Sequence, residues 1–357
     1  MSIDARPAMR STGVGTSPRR PGIFARRRTS NASAVRARPT AGERVLKWGP
    51  LAALALLCMF FAWRAERFAT VDNLKNVLDQ SAVLSIATVG ITFVLLLGAI
   101  DLSMEGVMSA CVMVGALLVM NSRNANDWGL FAVIPVVLVG AAFGLANGLI
   151  TTRLKVPSFM TTVGMSAVGL GVAQLLFDGD QPRVLDRPLR AWAIGRVFGF
   201  TRATLIAVVC IAIGVVIQRH TRLGRYATAI GSAEDIVALS GVNVRRYKAL
   251  AFALAGAFYS IAAVLLFLKQ GTGNDELAVN VNFAAITAAV VGGTLLSGGQ
   301  GGVLQSIVGV LIVKVLENGL LLLDVQPALQ RAVQGVIVVG AVVAATWPLR
   351  HRLRVVK

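Results

Sequence analysis

Asp101 and Glu105, four positions apart, and Lys314 and Glu317, three apart, are the charges whose setting could do chemistry in this chain. Each pair stands beside or inside a long uncharged stretch. A carboxyl group so placed either finds a partner or works on a passing ion or solute. Asp101 could bond solute hydroxyls, line an exit, or end a helix at the level of lipid headgroups. Lys314 and Glu317 could pair along one helix face or act as a gating salt bridge. Residues 291–302, VGGTLLSGGQGG, hold enough glycine to cradle a phosphate or to turn the chain tightly. The two histidines, His220 and His351, each sit near arginine at the end of an apolar run, which suits solvated interfacial positions. Cys58, Cys111 and Cys210 lie inside apolar runs, at spacings that fit neither a metal site nor a disulfide framework. No cofactor or metal is expected.

The elements that position these residues belong to a membrane protein. Of the 357 residues 55% are hydrophobic and 15% charged, and the mean hydropathy is +0.71, whereas soluble domains carry about 25% charged residues. No Asp, Glu, Lys or Arg occurs between 79 and 101, 127 and 153, 155 and 178, 248 and 269, or 276 and 314. A helix needs about 20 apolar residues to cross roughly 30 Å of hydrocarbon. The expected class is therefore all-α and polytopic, with about ten transmembrane helices, some of them short or broken. The expected spans are 48–63, 80–100, 106–120, 128–151, 156–177, 203–218, 249–268, 283–296, 303–322 and 332–347.

The net charge of +18 is unevenly placed. Residues 1–47 hold ten Arg and one Lys against Asp4 and Glu43, half the surplus, with no apolar periodicity. A disordered cytoplasmic tail beside anionic lipid is expected there, rather than a nucleic-acid arm. With that tail inside, ten crossings return the basic end, residues 349–357, to the same side. Arg153 and Lys155, and the loop 219–248 with six basic residues against Glu234 and Asp235, also fall inside. Loop 178–202, with five Arg against three Asp, falls outside against the charge rule. A shift of 194 residues superposes Gly98 on Gly292, Leu102 on Leu296, Ser103 on Ser297, Gly115 on Gly309 and Leu117 on Leu311, a hint of an internal repeat.

Within the glycine-rich stretch, LSGGQ spells the signature of the ATPase subunit of ABC transporters. A nucleotide site also needs GxxxxGK[ST], and no lysine of this chain follows a glycine. The stretch also lies in an uncharged run, where a polyanion would not be hosted. Its glycines instead suit a tight turn between helices, or a broken helix whose backbone lines a watery path.

Four stretches carry a resemblance. LGAIDLS (97–103) is similar to a GGIDLS segment, and ANGLI (146–150) with LKVPSF (154–159) to an NG…KVPxF element. TRLGRY (221–226), AIG (229–231) and LSGVN (239–243) are similar to a TxxGR…AIG…SGI loop, and VGGTLLSGG to GGTSLSGG. In this order they resemble the permease subunit of ribose-type ABC sugar importers, within the branched-chain amino-acid/monosaccharide permease family. After the Ser of GGIDLS that family continues Val-Gly, where this chain has Met104-Glu105. The resemblance implies a permease domain over 48–348 in the inner membrane with both termini cytoplasmic. It implies a path for a monosaccharide or similar polyol, formed by two permease chains as a homodimer. A separate cytoplasmic ATPase and an extracytoplasmic solute-binding protein are the implied partners, and the chain itself would be no enzyme. Within the matched stretches, Asp101, Ser103, Asn147, Phe159, Gly293 and Ser297 are candidates for the path. Loop 219–248 is the implied ATPase-coupling element, with Arg222, Gly224, Arg225, Gly231, Glu234, Gly241 and Asn243 as its candidates, and Ser232 is read as the cap of a short helix over 232–239. Rival readings are the same architecture importing a branched-chain amino acid or nucleoside, and an ion-coupled secondary transporter.

Overall fold

The computed structural model describes residues 41–326 together with 328–330, 332, 333, 335, 336, 339 and 340. The expected tail through residue 40, most of the expected span 332–347 and the basic end 349–357 lie outside the described residues.

Uncharged runs coil because peptide groups removed from water must bond within their own segment. In chain order the helices are α1 (Ala41–Arg64), α2 (Val71–Leu96), α3 (Met104–Leu118), α4 (Val133–Arg153), α5 (Ser158–Phe177), α6 (Arg187–Ile194), α7 (Arg202–His220), α8 (Arg222–Leu239), α9 (Val244–Gln270), α10 (Val281–Val291) and α11 (Val303–Leu322). Among the described residues six are long and apolar enough to cross a membrane: α2, α4 with the 3-10 turn before it, α5, α7, α9 and α11. The shorter apolar helices are residues Trp48–Arg64 of α1, α3 and α10. These nine stretches overlie the first nine expected segments, but only six reach spanning length.

The short ones are completed by irregular chain. α3 has 15 residues and α10 has 11, about 22 and 16 Å of helix. Residues 97–103 lead into α3. Residues 271–280 lead into α10 and run antiparallel to α3: Gly273 abuts Ala116, the Ser109 hydroxyl donates to the Asp275 carbonyl at 2.7 Å, and the Asn280 amide donates to Glu105 Oε2 at 3.2 Å. α10 therefore begins level with the first turn of α3, partway along its neighbours.

The core is built around α2 and α9. From Ser81 to Leu96 α2 is buried almost all round, as an apolar helix without a polar face must be. α4, α5 and α7 instead expose Ile134, Leu138, Met160, Val168, Val209 and Val216, an apolar exterior suited to lipid. Loop 178–202 folds into α6, capped by Asp186, and a two-residue hairpin pairing Arg196 with Thr201 and Val197 with Phe200.

α4 meets α9 through Gly140, Gly144 and Gly148, spaced by four and so on one face. A Cβ at Gly144 would strike the Phe252 carbonyl, and Gly140 and Gly256 lie backbone to backbone. Small residues allow this approach where lipid supplies no hydrophobic force between helices. Gly144→Leu should lose about 1–3 kcal/mol by overpacking, seen as a lower thermal midpoint in detergent. Gly164→Ala, with nothing within 4 Å of the new Cβ, should leave the midpoint unchanged.

Candidate functional site

The lead-in to α3 starts where α2 stops. Gly98 takes φ +74°, a left-handed backbone that ends the helix at little steric cost. The extended residues after it would carry unpaired peptide groups, and the first turn of α5 supplies partners. Ser158 Oγ accepts from the Ile100 amide at 3.3 Å and Thr162 Oγ1 from the Leu102 amide at 3.1 Å.

Asp101 is 1% exposed. Its Oδ1 accepts the Ser103 amide at 2.9 Å and the Ser103 hydroxyl at 2.6 Å, and its Oδ2 accepts the Tyr259 hydroxyl of α9 at 3.1 Å. Ser103 Oγ in turn accepts from Asn147 Nδ2 of α4 at 2.8 Å. Asp101, Ser103 and Asn147 thus form one buried knot that ties the lead-in to α4 and α9. Asn147 Oδ1 is buried without a hydrogen-bond partner among the described residues. Of the other path candidates, Phe159 lies exposed on the first turn of α5, while Gly293 (φ +100°) and the exposed Ser297 lie in the segment joining α10 to α11.

That segment, 292–302, is a tight turn with positive φ at Gly293, Gly298, Gly299 and Gly301. It is held from inside by Thr294 and Ser306, whose hydroxyls lie 2.9 Å apart, and by Thr92, which donates to Ser306 at 2.9 Å. From α7, Gln218 accepts the Val303 amide at 2.9 Å and donates to the Gly301 carbonyl at 3.3 Å. The turn also meets the end of α2: the Gly299 amide donates to the Leu96 carbonyl at 3.0 Å.

Gly231 of α8 packs on that same hydrogen bond. A Cβ there would strike the Leu96 carbonyl and lie 2.6 Å from the Gly299 nitrogen, while one at Gly298 would lie 2.7 Å from Gly98 Cα and 3.0 Å from Gly231 Cα. Three segments distant in sequence meet through glycines. α8 starts earlier than expected, with Thr221 capping at 3.4 Å to the Gly224 amide, and it is interrupted at Ala233 (φ −162°, ψ 81°). The Ser232 hydroxyl does not cap. It donates to the carbonyls of Thr228 at 3.0 Å and Gly299 at 3.4 Å.

The remaining loop candidates frame this contact. Arg222 opens α8; Gly224 packs against Gln218; Arg225 is exposed and donates to the His220 carbonyl at 3.4 Å. Glu234 pairs with Lys248 at 2.7 Å, Gly241 turns the chain at φ +82°, and Asn243 caps α9 through the Arg246 amide at 3.1 Å. Lys314 and Glu317 pair at 2.7 Å on α11. Sequence reading missed Tyr259, Ser158, Thr162 and Gln218. The one available signal was Tyr259 itself, a hydroxyl inside an uncharged run.

Tyr259→Phe keeps the ring and leaves a buried acceptor short of a donor, which should cost about 1–3 kcal/mol. The thermal midpoint should fall accordingly, and Phe159→Ala, on an exposed side chain, should not lower it.

A family model described as the permease component of branched-chain amino acid transport systems matches residues 73–342. The chain is 33% identical over 297 residues to the ribose import permease protein of Escherichia coli, covering 82% of this chain and 91% of that one. It is 34% identical over 301 residues to a probable ABC transporter permease protein of the same organism (83% and 88%). To the galactose/methyl galactoside import permease protein of Escherichia coli it is 32% identical over 304 residues (81% and 90%). No solved structure matches.

Proposed function

The chain belongs to the family of branched-chain amino acid transport system permease components, and from that premise we propose that it forms the path of an ABC importer for a monosaccharide or similar polyol. Sugar is favoured over amino acid because relatives named for ribose and galactose import match over about nine-tenths of their own lengths. ATP hydrolysis is assigned to a separate cytoplasmic subunit and solute capture to an extracytoplasmic binding protein. Ten crossings with both termini cytoplasmic, two copies of the chain side by side, and a lipid-facing exterior complete the reading. Of the acids an ion-coupled transporter could use, Glu317 is paired with Lys314 and Asp101 is engaged by Ser103 and Tyr259.

The observation that carries the mechanism is the glycine contact among α8, the end of α2 and turn 292–302. In this reading the ATPase pushes on α8. Gly231 has no side chain to act as a cushion, so displacement passes directly to the Leu96–Gly299 hydrogen bond. From there it reaches the lead-in to α3 on one side and the start of α11 on the other. Residues 222–232 act as the lever, and the interruption at Ala233 separates them from the Glu234–Lys248 pair at the start of α9.

Reconstituted with its ATPase and binding protein, the chain should take up ribose or galactose only with ATP; uptake by the chain alone down an ion gradient would overturn the reading. Gly231→Ala must displace the backbone at the Leu96–Gly299 hydrogen bond, so its thermal midpoint should fall and uptake should drop at least about tenfold, a loss of about 1.4 kcal/mol or more. Gly171→Ala, with no atom within 4 Å of the new Cβ, should transport as the parent does.

A further inference from the structure

Loop 178–202 carries five arginines on the face where short loops are expected to carry few. Arg202 donates to the Trp192 carbonyl at 2.9 Å and lies over the Trp192 ring, and Arg190 packs on Gly271 at the end of α9. Arg183, Arg187 and Arg196 are exposed and make no ion pair among the described residues. Of these three, Arg196 opens the hairpin 196–201, whose surroundings are well defined.

The hairpin stands at the end of the bundle opposite α8. Thr201 donates to Asp79 Oδ1 at 2.6 Å, and Asp79 Oδ2 pairs at 2.9 Å with Lys269 in the last turn of α9. α8 instead meets the last turn of α2 and the start of α9. Two neighbouring helices give the hairpin its level in the bilayer. On α2 no charge follows Asp79 until Asp101, so hydrocarbon begins just inward of Asp79. Lys75, four residues earlier, lies about 6 Å further out. On α7 no charge follows Arg202 until Arg219, and the hairpin directly precedes Arg202. Both helices put the hairpin in the headgroup layer, above the exposed Val208 and Val209 of α7.

Cations and apolar groups meet at this level. A Cβ at Gly199 would lie 3.1 Å from Lys75 Nζ, so the ammonium sits against the hairpin tip. Lys75 bonds to no acid among the described residues, and Asp72, one turn earlier, does not pair with it. Asp79 is already engaged by Thr201 and Lys269. At the tip itself Phe198 is 95% exposed and takes φ +52°. That position of a two-residue hairpin favours Asn or Asp, and a bulky ring is held there at a cost. Leu74 and Val71, at the start of α2, are also exposed. A phosphate with acyl chains attached satisfies the free cations and the bare apolar groups together, and the lipid-facing side of α7 continues from the same place.

We propose that the hairpin 196–201 and the start of α2 form a site for an anionic phospholipid in the leaflet opposite α8. Lys75 and Arg196 hold its phosphate, and Phe198 and Leu74 pack on the glycerol and upper acyl chain. Through Thr201 the occupied hairpin steadies the Asp79–Lys269 pair that joins α2 to α9. The site depends on the chain spanning a membrane and is independent of which solute crosses.

The test uses the full chain with its ATPase in nanodiscs of phosphatidylcholine, with or without phosphatidylglycerol. Phosphatidylglycerol should raise the thermal midpoint of the parent. Lys75→Gln should weaken phosphatidylglycerol binding, counted by native mass spectrometry, about fivefold, the factor that about 1 kcal/mol per cation at an anionic surface gives. Lys75→Arg should keep the parent affinity. In phosphatidylcholine alone Lys75→Gln should melt with the parent, since no ion pair is lost. A spin label on Phe198→Cys, in a chain also carrying Cys58→Ala, should be relaxed more by oxygen than by a water-soluble nickel chelate, as a group among lipids is. Equal retention of phosphatidylglycerol by the parent and Lys75→Gln overturns the site, as does a label at 198 that the chelate reaches freely. Millimolar inorganic phosphate that displaces the lipid would mark a soluble-anion site and overturn the lipid. A label shielded only once the binding protein is added would make this face a protein dock, and overturns the proposal as well.

Discussion

A peptide group without a hydrogen-bond partner costs several kcal/mol in hydrocarbon, and three of the irregular segments between the described helices must meet that demand. Residues 97–103 meet it with Ser158 and Thr162 of α5 and with the Asp101 carboxyl. Residues 271–280 meet it with Glu105 and the Pro182 carbonyl. Residues 292–302 meet it with Thr294, Gln218 and the Leu96 carbonyl. Each solution draws on a different part of the chain, so the irregular segments hold the helices together as much as the helices hold them. The departure Met104-Glu105 takes its meaning here, because Glu105 receives the amide that starts α10.

The same requirement explains how motion at one face could reach the interior. A continuous helix can move as a rod with its neighbours unchanged. A broken one whose loose ends are bonded to three partners cannot. The end of α2, turn 292–302 and α8 share one hydrogen bond and a contact among glycines too close for any side chain. The Asp101 knot then carries the lead-in to α3 across to α4 and α9. A small shift in such a packed joint must be taken up by discrete rearrangement, since close-packed interiors do not deform smoothly.

The six long apolar helices were legible because length without charge is a composition signal that needs no partner. Their ends were less so. The expected span 80–100 began at the last charge, whereas α2 begins at Val71 because Thr70 caps it and Asp72 suits its first turn. The expected span 283–296 ran on through apolar letters, whereas α10 stops at Val291 where the glycines take over. The glycine-rich stretch left a tight turn and a broken helix both open, and the structure has the turn, but nothing in the letters announced Gln218 or Leu96 as its partners. Asp101 was picked out as a carboxyl group that must find a partner or a role, while its binding to Tyr259 depends on a register between segments 158 positions apart. Such pairings are set by packing and leave no local trace. The helix of loop 219–248 was half seen: Ser232 looked like a cap, but its hydroxyl turned back to Thr228 and across to Gly299, and the helix had begun at Arg222.

The claim at the centre is that α8 and turn 292–302 move as one body. Spin labels at the exposed positions Arg225 and Ser297, in the complex with its ATPase, measure this directly by pulsed electron resonance. The account predicts one narrow 225–297 distance, unchanged between the nucleotide-free and ATP-bound states, while the distance from 225 to a label at the exposed Leu145 on α4 shifts. A 225–297 distance that lengthens or splits into two populations on ATP binding would contradict it.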